Sequence, residues 1–113
     1  MTATLLALAL LGPVQPQDLS DGWKTARVSW YEQGETTANG EKFNPDGLTC
    51  AHRTLPFNTR VEFRLRGRSV TCRVNDRPAR KDREFDLARG ASRKLGMLRE
   101  GVATVQWREV PRG

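Results

Sequence analysis

The sequence predicts a mainly β protein, a small barrel carrying one or two short helices. Three observations carry that expectation. Apolar and polar residues alternate with a period of two in several short runs, the signature of half-buried strands. Only Ala88–Leu95 has the composition of a helix, with Ala91 and Leu95 four apart and Gly96 as its stop. The polar positions of the alternating runs are rich in arginine, as outward faces of a closed sheet would be. A chain of 113 residues allows one domain and excludes a multidomain enzyme. At 37% hydrophobic residues it is apolar enough to fold. With 19 Lys+Arg against 13 Asp+Glu the net charge is +6, which predicts acidic partners: nucleic acid, anionic lipid or an acidic wall polymer.

Residues 1–17 form a leader in which Leu5, Leu6, Leu8, Leu10 and Leu11 interleave with Ala7 and Ala9, ending at Gly12-Pro13. The run is too short to span a bilayer and suits the apolar segment of a secretory signal, although no Lys or Arg precedes it. The alternative is a mis-started or structureless N-terminus. Residues 18–24 read as a linker, and residues 25–110 as the domain. Within it, Thr25–Tyr31 is a strand, and 32–47 is a long loop punctuated by Gly34, Gly40, Pro45 and Gly47. Val61, Phe63 and Leu65 alternate with arginines in a second strand. Gly67 turns the chain, and Val70, Cys72 and Val74 return it as a hairpin. Residues 77–83 are a charged loop; Phe85 and Leu87 mark a short strand before the helix. Val105 and Trp107 lie in a final strand closed by Pro111.

The candidate chemistry is proton transfer. No phosphate-binding glycine loop, G-x-S-x-G elbow or H-E-x-x-H helix is present. His52 is the only histidine and stands where a loop meets structure; a purely structural role is the alternative. Asp76 directly follows the strand Val70–Val74, a rigid place for a general acid, or else for a turn residue or an Asp76–Arg77 surface pair. Asp86 precedes the helix and could be its N-cap. Glu41 closes a loop segment and could be a solvated charge. Cys50 and Cys72 are either a disulfide, favoured in an exported chain, or two buried thiols. Two Cys and one His fall short of a zinc site.

Several segments then carry a family resemblance: Ser29-Trp30-Tyr31, Thr37-Ala38-Asn39-Gly40-Glu41-Lys42-Phe43, Leu48-Thr49-Cys50-Ala51-His52-Arg53-Thr54-Leu55-Pro56-Phe57, Val74-Asn75-Asp76-Arg77, Asp86-Leu87-Ala88, Leu95-Gly96-Met97 and Gly101-Val102-Ala103, in this order. From about Trp30 to Val110 the chain resembles the rare lipoprotein A (RlpA-like) family of septal ring lytic transglycosylases. The resemblance implies a six-stranded double-psi β-barrel, related to barwin and expansins. It implies an enzyme that cleaves the MurNAc–GlcNAc bond of peptidoglycan and leaves 1,6-anhydro-MurNAc ends. Glu41, His52 and Asp76 match the family's active-site positions, and Asp86 matches a functional carboxylate of related barrels.

In that chemistry the sugar's own C6 hydroxyl is the nucleophile, so one carboxyl can serve as both acid and base, where an ordinary glycosidase needs two. Asp76 is the expected acid/base, held protonated by an apolar setting or by like charge from Glu41 or Asp86, with His52 orienting the acid or the sugar. Tyr31, Thr37, Asn39, Arg77 and Asp86 are expected to line the substrate groove. If their segments are extended, Cys50 shares a face with His52, and Cys72 with Asp76. A Cys50–Cys72 disulfide would then clamp both, contributing about 3–4 kcal/mol. Where the family continues into a Gly-Pro loop, this chain has Arg77-Pro78-Ala79-Arg80, a more basic groove wall. Asn58 replaces a usual glycine and tolerates the left-handed backbone.

The expected protein is a monomer without cofactor or metal. It is exported to the periplasm or cell envelope, or phage-encoded and acting there, with no stable membrane span. Its partner is the peptidoglycan glycan strand. The same fold serves a non-catalytic expansin- or barwin-like wall-binding module, which is the alternative. A nucleic-acid-binding barrel is not expected, since the aromatics form no evident stacking platform.

Overall fold

A computed structural model describes residues 22–111. The expected secretory leader and most of the expected linker lie outside these residues. Six strands close into a barrel: β1 (Lys24–Tyr31), β2 (Thr49–His52), β3 (Arg60–Leu65), β4 (Arg68–Asp76), β5 (Phe85–Ala88) and β6 (Val102–Glu109), in the spatial order β1-β5-β2-β4-β3-β6. Two neighbouring pairs, β1–β5 and β2–β4, are parallel. The others are antiparallel, and β6 bridges β3 and β1 to close the ring.

The alternating runs behave as their pattern dictates. Val28 in β1, Val61 and Phe63 in β3, Val70, Cys72 and Val74 in β4, and Val105 and Trp107 in β6 point inward and are buried. Phe85 sits at the centre, edge-on to Phe63 and to Trp107, with 4.9 Å between ring centroids in each case. Five of the six strands are readable from alternation. The sixth, β2, is not, because Cys50 and Ala51 are both buried, one against the core and one on the opposite face. β1 begins at Lys24, one residue before the expected start, and Trp23 packs beneath the Arg64 and Arg108 guanidiniums at 4.0 and 4.5 Å.

The β3–β4 hairpin turns through Arg66 and Gly67, both with positive φ (47° and 81°), as a two-residue turn matched to strand twist requires. Asn58 adopts φ 75°, the left-handed conformation expected of it. The helix α1 spans Arg89–Leu95 and buries Ala91, Ser92 and Leu95. Its N-cap is Ala88 without a side-chain bond, so Asp86 does not cap it. Gly90 has a packing reason. A Cβ there would stand 2.3 Å from the Asp46 carbonyl oxygen, and its N–H donates to Pro45 O at 2.7 Å. Arg89 ties this loop further, through Asp46 at 2.8 Å and Glu32 at 2.9 Å.

Cys50 and Cys72 form a disulfide between neighbouring strands β2 and β4, with Cα atoms 6.0 Å apart and both side chains buried. The same-face expectation holds for one partner only. His52 faces the core as Cys50 does, its ring 4.5 Å from that of Phe85. For Asp76 it fails. The β2–β4 register shifts between Cys50 and Ala51, so Cys50 pairs with Val74 while Ala51 pairs with Asp76. This β-bulge takes up Asn75 and turns Asp76 to the face opposite Cys72.

Candidate active site

That bulge assembles the floor of a groove of about 680 Å³. Register places Asp76 opposite Ala51, Ala51 opposite Asp86, and Asp86 opposite Ser29, one row across β4, β2, β5 and β1. All four residues line the groove. Ala51 is the small residue in the middle, so the two carboxylates face open space across it, with Cα atoms roughly 10 Å apart at two strand spacings.

Both oxygens of Asp76 accept hydrogen bonds. The Tyr31 hydroxyl donates to Oδ2 at 2.8 Å; the backbone N–H groups of Ala38 and Arg77 donate to Oδ1, each at 2.9 Å. Tyr31 stacks on Phe43 at 4.7 Å, which fixes its ring. Burial first, then the hydrogen bond and charge of Asp76, push the phenol well above its ordinary value, so Tyr31 remains a donor. Asp86 is buried and accepts a short hydrogen bond from the Ser29 hydroxyl.

Glu41 does not line the groove. Its carboxylate receives a bidentate pair from Arg73 at 2.9 and 3.0 Å and a bond from Asn75 Nδ2 at 3.0 Å. Hydrogen bonding from Arg73, then from Asn75, lowers it from 4.5 to about 2. Glu41 thereby anchors a small hairpin on β4. Thr36 bridges Lys42, the Thr37 N–H donates to Glu41 O at 2.8 Å, and the Thr37 hydroxyl donates to Asn39 Oδ1 at 2.6 Å. The Asn39 N–H donates to Asn75 O at 3.2 Å. The tip of that hairpin presents the Ala38 N–H to Asp76. Thr37 and Asn39 thus build the hairpin rather than line the groove.

His52 also stands away from the groove. Its Nδ1 accepts the backbone N–H groups of Thr54 and Leu55 at 3.1 and 3.0 Å, and Nε2 is 3.9 Å from Glu84. Burial, then the charges of Arg53 and Arg77, lower it below its ordinary 6.5, which favours a neutral imidazole with Nδ1 as acceptor. The turn so held offers His52 O and Leu55 O to the Arg77 guanidinium at 2.9 and 2.8 Å, and Arg77 lies over Phe57 at 4.0 Å. Arg77 therefore pairs with carbonyls rather than with the Asp76 carboxylate, and with Pro78, Ala79 and Arg80 it forms the basic wall. Of the residues expected at the site, Tyr31, Asp76, Arg77 and Asp86 meet in the groove, while Thr37, Asn39, Glu41 and His52 support it from behind. Arg73, Asn75 and Ser29 were not foreseen. Ser29 at a strand end beside Trp30-Tyr31 was a usable signal; nothing in the sequence pairs Arg73 with Glu41. Among the described residues, no three His, Cys, Asp or Glu side chains converge as metal ligands. None of the described helices is long and apolar enough to cross a membrane.

Residues 24–107 match the protein family described as lytic transglycolase. The chain is 53% identical over 76 residues to a protein of Nostoc sp. named probable endolytic peptidoglycan transglycosylase RlpA, covering 65% of this chain and 20% of that one. It is 44% identical over 85 residues to the Campylobacter jejuni endolytic peptidoglycan transglycosylase RlpA, covering 70% of this chain and 31% of the relative. The chain therefore spans less than a third of either relative. Among solved structures, the Streptomyces papain inhibitor superposes with a TM-score of 0.67 at 23% identity, over 79% of this chain and 94% of that one. A Clavibacter michiganensis expansin in complex with cellohexaose superposes with a TM-score of 0.65 at 17% identity, over 80% of this chain and 52% of that one. These two likenesses concern the fold, a barrel of the same architecture. With its family match, its RlpA relatives and its closed six-stranded barrel, the chain belongs to the RlpA-like lytic transglycolase family of double-psi β-barrels.

Proposed function

We propose that the protein is a peptidoglycan lytic transglycosylase, exported and acting in the cell envelope, with Asp76 as its acid/base. The observation that carries this reading is the row Asp76–Ala51–Asp86, two carboxylates on one groove floor with a gap between them. The names of the relatives supply the substrate class. Protonated Asp76 gives its proton to the glycosidic oxygen between MurNAc and GlcNAc as the C1–O bond breaks. The C6 hydroxyl of the same MurNAc then closes on C1 and returns its proton to the Asp76 carboxylate. The product is a 1,6-anhydro end, no water is consumed, and the acid is regenerated. A sugar covering the groove removes water from it, and desolvation favours the neutral, donating form of a carboxyl group. Asp86, an anion two strands away, faces the positive charge that develops at the sugar ring. Glu41 and His52 act as positioning residues, through the Ala38 hairpin and the Arg77 wall.

The saturation of Asp76 by three donors also suits a groove that binds glycan without cutting it, the wall-binding module. Incubation with purified peptidoglycan followed by mass spectrometry separates the two. Anhydro-muropeptides that vanish in Asp76→Asn are expected; intact glycan with saturable binding would establish the module instead.

A further inference from the structure

The groove leaves most of the chain's positive charge unused, and four further arginines, Arg27, Arg64, Arg66 and Arg68, lie on one continuous path. From Ser29 and Val102 at the groove, the outward positions of the β1–β6 ladder continue as Arg27 opposite Thr104, then Thr25 opposite Gln106. Gln106 is opposite Arg64 on β3, and Arg64 Nε donates to Gln106 Oε1 at 2.7 Å. Here the path opens into a second depression of about 510 Å³, lined by Trp23, Arg64, Arg66, Arg68, Thr104 and Gln106, with Glu62 as its one acidic residue. Glu62 is paired with Arg108 at 3.2 Å, and Arg66 with Glu100. Among the described residues, Arg27, Arg64 and Arg68 have no carboxylate within ion-pair distance. The path from Ser29 to Thr25 covers about 13 Å of strand.

We propose that this track extends the substrate site and takes a carboxylate-bearing stretch of the same glycan strand, beyond the bond being cut. The assignment rests on the substrate class proposed above. Guanidinium groups match carboxylates as paired donors. The Thr104 hydroxyl is a partner suited to a sugar, and Gln106 and Trp23 fix the Arg64 guanidinium, one by a hydrogen bond and the other by stacking. Charge complementarity and continuity with the groove single out this occupant over a separate anionic partner.

The test is co-sedimentation of the full chain, inactivated by Asp76→Asn, with purified sacculi, native or with their carboxyl groups amidated. At low salt, Arg64→Gln/Arg68→Gln is expected to weaken binding to native sacculi about fivefold, and Arg27→Gln about twofold. Amidation should weaken binding of the parent protein about fivefold and leave the double variant little further to lose. Arg64→Lys/Arg68→Lys should restore part of the affinity. Unchanged binding of the folded double variant and of Arg27→Gln overturns the track, as does an equal loss on amidated sacculi. A loss of duplex DNA retention with sacculus binding intact also overturns it, in favour of nucleic acid. The catalytic reading fails separately. With Asp76 intact, absence of anhydro ends refutes the transglycosylase but leaves an arginine-dependent sacculus affinity standing.

Discussion

Asp76 and His52 end two neighbouring parallel strands, yet their surroundings are opposite. Asp76 faces the groove, and donors from three different segments converge on it. His52 faces the core, lies against Phe85, and spends its free lone pair on its own turn. The difference comes from the single bulge that takes up Asn75. On a strand, one inserted residue exchanges the two faces. Without the bulge, Asp76 would point inward with Val74 and Cys72. The comparison teaches that two residues close in sequence pattern can divide into one that faces the groove and one that holds its wall.

Breaking the groove side is expected to have the largest effect. Asp76→Asn keeps the shape but removes the acid, and should lower turnover of peptidoglycan about 10²–10⁴-fold with little change in thermal midpoint, measured by anhydro-muropeptide release. Next comes the clamp beneath both strands. Cys50→Ala/Cys72→Ala should destabilise the barrel by about 3–4 kcal/mol in urea unfolding. Third is the hairpin that serves Asp76. Glu41→Gln loses the ion pair with Arg73 and should reduce kcat about ten- to a hundredfold by misplacing Ala38. Because Glu41 titrates at about 2 when folded against an ordinary 4.5, its contribution is complete above pH 4.5 and is lost as pH falls through 2. Thermal midpoints between pH 5 and pH 2 should fall less steeply in the variant.

The wall side should respond more mildly and mainly to pH. His52 is depressed below its ordinary 6.5, so its stabilising contribution is full above pH 6.5 and declines as pH drops toward its folded value. His52→Gln should flatten the thermal midpoint between pH 7 and pH 5 and raise KM more than it lowers kcat, because Arg77 lines the groove. The smallest change is Tyr31→Phe. It keeps the stack on Phe43 and removes one of three donors to Asp76, with a two- to tenfold loss of kcat, about what one hydrogen bond supplies.

The fold was legible wherever one strand face is buried and the other is wet, as in Val61–Leu65 and Val70–Val74. It was illegible at β2, where the core takes Cys50 and the groove floor takes Ala51, so alternation disappears. The even cysteine pair favoured a disulfide but left two buried thiols open, and the backbone at Asn58 was legible from that residue's tolerance of the left-handed region. The carboxylates of the site were visible as residue types, but their division of labour was not. The β4 bulge has no sequence signature of its own, and the Glu41–Arg73 pair joins residues far apart in the chain. His52 was expected to orient the acid or the sugar; in the fold its Nδ1 accepts two backbone N–H groups of its own turn, a contact between near neighbours that no spacing announces.

The closing ladder has a consequence for how the barrel can be carried. Lys24, at the start of β1, stands opposite Trp107 near the end of β6. The chain thus arrives and departs side by side, at the end of β1 far from Tyr31 and the groove. Polypeptide added at either side would leave beside the Trp23 end of the proposed track, while the groove at the opposite end of β1 stays clear. The same adjacency makes the barrel a natural cassette. A short bridge joining its two ends, with the chain reopened at the Arg66-Gly67 turn, leaves every strand pairing intact except the hairpin connection itself.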